Sequence, residues 1–118
     1  MKAEELSVFK KSHELTLHLY QLTAQFPPEE KFGLVSQIRR ASSSICANLL
    51  EGNHRNHVKE YRQFAGISRG SVGELKYHLL LAKDLKYISE ECYLTCSSKV
   101  NDVGKMLYGL IKSLDTIH

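Results

Sequence analysis

The stretch that decides the fold of this chain reads YRQFAGISRGSVGELKYHLLLA and occupies residues 61–82. Its apolar and small residues recur at alternating steps of four and three, which is the spacing of a helix that buries one seam against other helices. The residues of this seam are Tyr61, Ala65, Ser68, Val72, Leu75, Leu79 and Ala82. The spacing therefore predicts one long amphipathic helix, with Asn56 as its N-cap.

A similar seam follows toward the C-terminus. Ser89 with Glu90 and Glu91 behind it is typical of a helix start, because acidic side chains favour the positive end of a helix. The residues on the seam of this last helix are Cys96, Val100, Val103, Leu107, Leu110, Leu114 and Ile117. Two helices of comparable length and pattern are thus predicted in the C-terminal half.

The N-terminal half predicts two more helices. The first runs from about Leu6 to Gln25 and ends at Phe26-Pro27-Pro28, because a residue before proline is disfavoured in the α region. The second begins near Glu29 or Lys31 and ends at Gly52, which we interpret as a C′ glycine. Their predicted core positions are Leu15, Leu19, Leu22, Phe26, Ile38, Ser42, Ile45 and Leu49. No stretch alternates like a strand, so we expect an all-α fold, an antiparallel up-and-down four-helix bundle, as a single domain over residues 1–118.

Composition excludes several classes of protein. The chain is 42% hydrophobic and 25% charged, which is ordinary for a globular domain. Its longest apolar run, residues 79–82, is far too short to cross a bilayer, and the N-terminus lacks a secretory signal, so we expect a cytoplasmic protein without a membrane partner. The cysteines Cys46, Cys92 and Cys96 form no disulfide or zinc-knuckle pattern, and we interpret them as small buried residues. We expect no metal and no cofactor.

Catalytic motifs are also missing from the sequence. There is no phosphate-binding glycine loop and no HExxH, and the pair of ExxH motifs of a di-iron bundle is missing. Residues 66–70 have the letters GxSxG, but they lie inside a predicted helix and no strand precedes them, so they form no nucleophile elbow. A helical-bundle ribonuclease is the least favoured alternative, because no histidine follows an arginine at the spacing that such an enzyme would use. We therefore expect no catalytic residues and no enzymatic activity.

Positive charge is concentrated in the middle of the chain. Residues 31–76 contain eight basic and three acidic side chains, a net charge of +5 against +3 for the whole chain. The basic residues that we select as nucleic-acid-binding candidates are Arg39, Arg40, Arg55, Lys59, Arg62, Arg69 and Lys76. Four of them recur every seventh residue and predict a stripe that could follow the phosphate backbone of RNA or DNA. The alternative is a solvated face, or arginines that pair with carboxylates across a subunit contact in a protein-protein scaffold.

The third helix contains glycines at an unusual density. Gly66, Gly70 and Gly73 fall on a smooth face, and we favour close packing of another helix there over a groove for a ligand. Tyr61, Phe64 and Tyr77 are the aromatic residues available for base stacking, and we interpret them as core. Apolar residues outside the two C-terminal seams indicate either a wider core or an assembly surface; they are Phe64, Ile67, Leu80, Met106, Tyr108 and Ile111.

Several short motifs also resemble a known family in their order and spacing. They are Phe26-Pro27, Phe32-Gly33-Leu34, Gln37-Ile38-Arg39-Arg40-Ala41, Ser44-Ile45, Asn48-Leu49-Leu50-Glu51-Gly52, Lys59-Glu60-Tyr61, Phe64, Arg69-Gly70-Ser71 and Glu74-Leu75. With these motifs the chain resembles, over nearly its whole length, the small four-helix-bundle proteins encoded within intervening sequences of bacterial 23S rRNA genes. That family is related to the accessory variability protein of diversity-generating retroelements.

The resemblance implies an up-and-down bundle that assembles into a ring, a homopentamer in related proteins, and that contacts RNA or a nucleic-acid enzyme. It does not imply catalysis. The basic residues that match the motifs are Arg39, Arg40 and Arg69. The matching polar residues are Asn48, Glu51, Ser71 and Glu74. For Asn48 and Glu51 the alternative is a structural one, a polar network that orients the second helix against its neighbours.

Overall fold

Four long helices make up the computed structural model, which describes residues 1–116. They are α1 (Ala3–Thr23), α2 (Leu34–Asn53), α3 (Val58–Asp84) and α4 (Glu90–Asp115), and a short 3₁₀ helix, Pro28–Glu30, lies between α1 and α2. No strand occurs in this part of the chain. The predicted all-α fold is confirmed.

The helices pack in sequence order around one core. Each contacts the next along the chain, and α4 closes the ring against α1, whereas the diagonal pairs stay apart. The closest packing is between α2 and α3. Since short turns at residues 54–57 and 85–89 join long neighbouring helices, the arrangement is an up-and-down four-helix bundle.

The predicted seams form the core of this bundle. All seven seam residues of α3 are buried, and so are the α4 seam residues from Cys96 to Leu114. The last predicted position, Ile117, lies outside the described residues. The predicted core positions of α1 and α2 are also buried, apart from Leu22, which is half-buried. Of the apolar residues outside the seams, Ile111 belongs to the core, while Ile67, Leu80 and Tyr108 are exposed.

The connection between α1 and α2 differs from the prediction. The first helix ends at Thr23 rather than Gln25, and the second begins only at Leu34. At the start of α2 the side chain of Glu30 sets the bound, because its carboxylate accepts hydrogen bonds from the Leu34 N–H (3.0 Å) and the Tyr87 hydroxyl (2.7 Å). These two bonds lower the pKa of Glu30 below its usual value. Glu30 therefore caps α2 from outside the helix and ties this connection to the turn before α4.

The ends of α2 and α3 also differ from the prediction. Gly52 does not stop α2 but lies buried inside it, and the helix continues to Asn53. A Cβ on Gly52 would lie 2.7 Å from the Phe64 Cβ and 2.9 Å from the Tyr61 Cδ1, so the glycine is required by the close approach of α3. The N-cap of α3 is His57 rather than Asn56, and it makes no side-chain capping bond. At α4 the predicted cap is confirmed, because the Cys92 N–H donates to the Ser89 hydroxyl at 3.0 Å.

Serines hold α2 and α3 in register along their interface. The Ser68 hydroxyl donates to the carbonyl of Ile45 (2.9 Å), and the Ser71 hydroxyl donates to the hydroxyl oxygen of Ser44 (3.0 Å). The Asn48 amide donates to the carbonyl oxygen of Ser44 at 2.8 Å. The Ser44 hydroxyl thus links Asn48 to Ser71 of α3, in agreement with the structural interpretation of Asn48. Glu51 takes no part in this network, because it is exposed and pairs with Arg55.

Candidate nucleic-acid interface

The outer surface between α3 and α4 contains a groove of about 650 Å³, here called the α3–α4 groove. It lies where two long helices run side by side, so its two walls are the exposed edges of both helices. Its lining residues are Arg69, Val72, Gly73 and Lys76 from α3, and Asn101, Gly104, Lys105 and Tyr108 from α4. Three of the eight are cationic and none is acidic.

The charge along this surface is unequally neutralised. At one end the Arg62 Nε lies 3.0 Å from the Asp115 Oδ1, and at the other the Lys83 Nζ lies 3.7 Å from the Glu90 Oε2. Between these pairs, Arg69, Lys76, Lys105 and Lys112 make no ion pair within residues 1–116. The central part of the surface therefore keeps its positive charge for a ligand, and a cleft lined by one sign of charge concentrates that field.

An aromatic ring lies among these cations. Tyr108 is 46% exposed, and the Arg69 guanidinium carbon lies 5.0 Å from its ring centroid. The Lys112 Nζ lies 5.8 Å from the same centroid. One residue along the chain from Lys76, Tyr77 is 58% exposed, so the interpretation of this tyrosine as core is wrong. For Tyr61 the interpretation is confirmed, since it is buried.

Glycines keep the groove open. A Cβ on Gly73 would meet no heavy atom within 4 Å, and one on Gly104 would lie 3.4 Å from the Val72 Cγ1. The favoured sequence interpretation, in which a helix packs closely on Gly66, Gly70 and Gly73, is wrong within this chain. Gly70 faces open space, and Gly66 has only the Arg62 guanidinium near it. Of the three glycines, Gly73 alone is among the residues that line the groove.

The predicted basic residues divide into two groups. Arg62, Arg69 and Lys76 share one face of α3, and two of them line the groove. Lys59 is exposed in the first turn of α3, offset from that face. Arg55 precedes α3, with its guanidinium 3.4 Å from the Glu51 carboxylate and 3.5 Å from that of Glu60. The predicted stripe therefore begins at Arg62 rather than at Arg55.

The two arginines of α2 lie away from the groove. The Arg39 Nε donates to the Thr23 hydroxyl (2.9 Å), and its Nη2 donates to the Tyr20 carbonyl (3.1 Å). Its guanidinium also covers the Tyr20 ring at 4.5 Å, so Arg39 joins α2 to the end of α1. Arg40 is exposed and donates to the side chain of Gln37.

The sequence interpretation missed the contribution of α4. Lys105 and Lys112 are also seven residues apart, and Tyr108 lies between them at a helical step of three and four. That repeat is a local signal for one exposed face. The exposed face of α4 could therefore have been predicted from the sequence. The contact of Tyr108 with Arg69 could not, because it depends on how α4 is rotated against α3.

The site offers binding groups rather than reactive ones. Its side chains are cations, an amide and a phenol, and no carboxylate, histidine or thiol lines it. In residues 1–116 no three His, Cys, Asp or Glu side chains are grouped to hold a metal ion. Cys96 is buried with its Sγ 3.7 Å from the His18 Nε2, and burial raises the pKa of its thiol to about 12. It thus remains a neutral thiol at physiological pH.

Comparison with known proteins agrees with the resemblance in the sequence. The profile of a family described as 23S rRNA-intervening sequence protein matches residues 4–109. The chain belongs to this family. Comparison with curated proteins gives no match. A solved structure, a protein of unknown function from the S23 ribosomal protein family of Bacteroides thetaiotaomicron, superposes with a TM-score of 0.83. It is 24% identical, and the match covers 92% of this chain and 98% of that one.

The likeness to the Bacteroides protein supports the fold of this 23S rRNA-intervening sequence protein. Neither description names an enzymatic activity. Within residues 1–116 no helix is both long and apolar enough to cross a membrane. The surface of this family member contains the α3–α4 groove, with its unneutralised cations and exposed tyrosine.

Proposed function

We propose that this 23S rRNA-intervening sequence protein is a non-catalytic nucleic-acid-binding module, and that its α3–α4 groove holds the phosphate backbone. The observation that carries the proposal is the cluster of Arg69, Lys76 and Lys105 around one groove without a carboxylate. A phosphodiester backbone is the abundant polyanion whose charges are spaced to meet such a row of cations. Arg69 and Lys76 lie about 10 Å apart along α3, so they would contact different phosphates.

The electrostatic origin of this binding makes it dependent on salt. Each neutralised phosphate releases condensed counterions, and three contacts give a slope of about −2 to −3 for log K against log salt. We expect labelled RNA to bind at about 50 mM salt and to be released progressively toward about 200 mM, as measured by fluorescence anisotropy. Replacing Lys76 and Lys105 with glutamine should flatten the slope to about −1.

A matched control is available on the same molecule. Lys10 and Lys31 are exposed lysines outside the groove, so Lys10→Gln with Lys31→Gln removes the same net charge. We expect this double variant to bind nearly as well as the wild type. Absence of binding at low salt refutes the proposal, and equal losses in the two double variants refute the assignment to the groove.

A second candidate function, self-assembly as a scaffold, is favoured by the outer face of α1. Leu6, Phe9, His13, Leu17 and Tyr20 follow steps of three and four, and three of these side chains are among the exposed large hydrophobic residues of the chain. A row of exposed apolar side chains is unusual on the surface of a single protein, and it suits packing against an apolar face of a second copy. In the ring of five copies that the family resemblance implies, this row would contact a different face of the next copy, because a face that pairs with itself closes a two-fold dimer. Arg55 and Arg62 are less suited to a subunit contact, because their carboxylate partners lie within the same chain.

A further inference from the structure

Beyond the presence of positive charge, the α3–α4 groove combines two features that different parts of a nucleic acid would recognise. The cations Arg69, Lys76 and Lys105 suit phosphates. The half-exposed ring of Tyr108 offers an aromatic surface, on which a phosphate group cannot stack. Sites for single strands join a charged groove to aromatic rings on which bases stack. The exposed tyrosine therefore indicates whether the ligand is single-stranded or paired, which the positive charge alone does not.

Base pairing decides whether that ring can be used. In a duplex the faces of the bases are stacked on one another, and the surface presents mainly phosphates and groove edges. A duplex could reach the lysines on the rim but could not place a base against Tyr108. In a single strand the bases can be splayed out and stacked on aromatic side chains or on an Arg guanidinium plane. Both kinds of partner, Tyr108 and Arg69, lie in this groove at 5.0 Å from each other.

The dimensions of the groove agree with a single strand. Its volume of about 650 Å³ falls in the range of pockets for small molecules, so an unpaired base with its sugar can enter it. Gly73 and Gly104 put no side chain into the groove, and a Cβ on Gly73 would meet no atom within 4 Å, so a flat group can enter between the two helices. The exposed tyrosine of this part of α3, Tyr77, is not among the lining residues, so the groove offers one ring to one base.

The existing contact between Arg69 and Tyr108 does not oppose this use of the ring. An exposed cation–π contact favours the arrangement in which Arg69 covers the Tyr108 ring by a factor of only about two to five. Stacking one base on an aromatic side chain contributes a factor of about 5 to 150. Arg69 can also exchange the ring for a phosphate, because a guanidinium binds phosphate oxygens through two N–H donors. The exchange therefore favours the bound state.

We propose that the ligand of the α3–α4 groove is a single-stranded nucleic acid, with a base stacked on Tyr108 and the neighbouring phosphates held by Arg69, Lys76 and Lys105. This inference rests on the proposed function, which it narrows from nucleic acid in general to unpaired strands. The bases and phosphates that this groove would contact occur in both RNA and DNA, so these are two sources of the same chemistry. The 2′-hydroxyl is the group by which a protein tells them apart.

The test compares strands of equal length by fluorescence anisotropy. The probes are labelled oligouridylate, the same oligouridylate annealed to oligoadenylate, and labelled oligothymidylate. We expect the wild type to bind a single strand more tightly than the duplex. Tyr108→Leu should weaken single-strand binding by about 5- to 150-fold and leave duplex binding unchanged. Tyr108→Phe keeps the ring and should bind within a few-fold of the wild type.

Phe32 provides a matched control for the loss of an exposed aromatic ring. It is 88% exposed and the Lys31 Nζ lies 5.4 Å from its ring centroid, but it belongs to the α1–α2 connection and lies outside the groove. Phe32→Leu should therefore bind single strands like the wild type, and circular dichroism should show that all variants remain folded. If neither strand form binds, the proposed function itself fails. Equal affinity for duplex and single strand, or a Tyr108→Leu variant that binds like the wild type, overturns the single-strand inference while phosphate binding stands. If Tyr108→Leu weakens the binding of single strand and duplex equally, the single-strand inference is also overturned.

Discussion

Gly52 lies at the closest approach of α2 and α3, and its replacement by alanine tests that contact. The new Cβ would lie 2.7 Å from the Phe64 Cβ, 2.9 Å from the Tyr61 Cδ1 and 3.3 Å from the Tyr61 carbonyl oxygen. Contacts under 3.0 Å with an atom attached to the backbone can be relieved only by moving the helices apart. The α2–α3 interface holds the closest packing in the bundle, so the movement would disturb most of the core.

Two opposing effects set the magnitude. Overpacking costs about 1–3 kcal/mol, and we expect the upper end because two contacts are too short at once. Alanine is better than glycine inside a helix by about 1 kcal/mol. The net loss in the free energy of unfolding for Gly52→Ala is therefore about 2 kcal/mol. For a domain of this size that corresponds to a fall in melting temperature of about 8 °C.

Gly70 provides the control. It lies in the middle of α3, and a Cβ there would meet no atom within 4 Å. Gly70→Ala should therefore show the helix effect alone and raise the free energy of unfolding by about 0.5–1 kcal/mol. Both variants can be compared by urea unfolding followed by circular dichroism at one protein concentration, because assembly would make stability depend on concentration. A Gly52→Ala variant as stable as Gly70→Ala would refute the close approach as the reason for this glycine.

Two further predictions concern the α1–α2 connection and the outer face of α1. The folded state lowers the pKa of Glu30, so the stability it contributes is complete above the ordinary carboxyl pKa of 4.5 and is lost as pH falls through the lower folded value. Urea midpoints of wild type and Glu30→Gln should therefore differ at neutral pH and converge in acid; a constant difference would contradict the capping role. If α1 mediates assembly, Leu17→Lys should reduce the mass measured by light scattering while leaving the helical content unchanged. An unchanged mass would remove this face from the assembly hypothesis.

The fold could be predicted because its evidence is local. The seam of residues 61–82 repeats through seven positions, and each of them is buried in the structure. Ser89 caps α4 as predicted, since a serine followed by two acids needs only its own helix to act. Periodicity and capping depend on residues within a few turns of one another, so a sequence contains them in full.

Local rules failed where a distant part of the chain decides the outcome. Gly52 satisfies the rule for a C′ glycine, yet its position is set by Phe64 and Tyr61 of another helix. Glu30 satisfies the rule for an acid in a first helical turn, yet it turns back to cap Leu34 and to bind Tyr87. In both cases two interpretations are compatible with the local sequence, and tertiary contacts select between them.

The candidate site shows the same division. The heptad spacing of Arg62, Arg69 and Lys76 placed these residues correctly on one face of α3. Their partners on α4 could not be assigned from α3 alone, because Lys105 and Tyr108 meet them only through the rotation of one helix against the other. The glycines of α3 were ambiguous for the same reason, since a smooth face serves equally a packed helix or an open groove.

The ion pairs at the two ends of the basic surface limit how much of a polymer one copy can occupy. Arg62 and Lys83 are about 30 Å apart along α3, but their charges are already matched by Asp115 and Glu90. The unmatched stretch between them is shorter and spans only a few nucleotides. On the proposed function, a long strand would therefore accept many copies side by side, each with a small footprint. The fraction of such a strand that is covered would then depend on the number of protein copies available rather than on the affinity of any single contact.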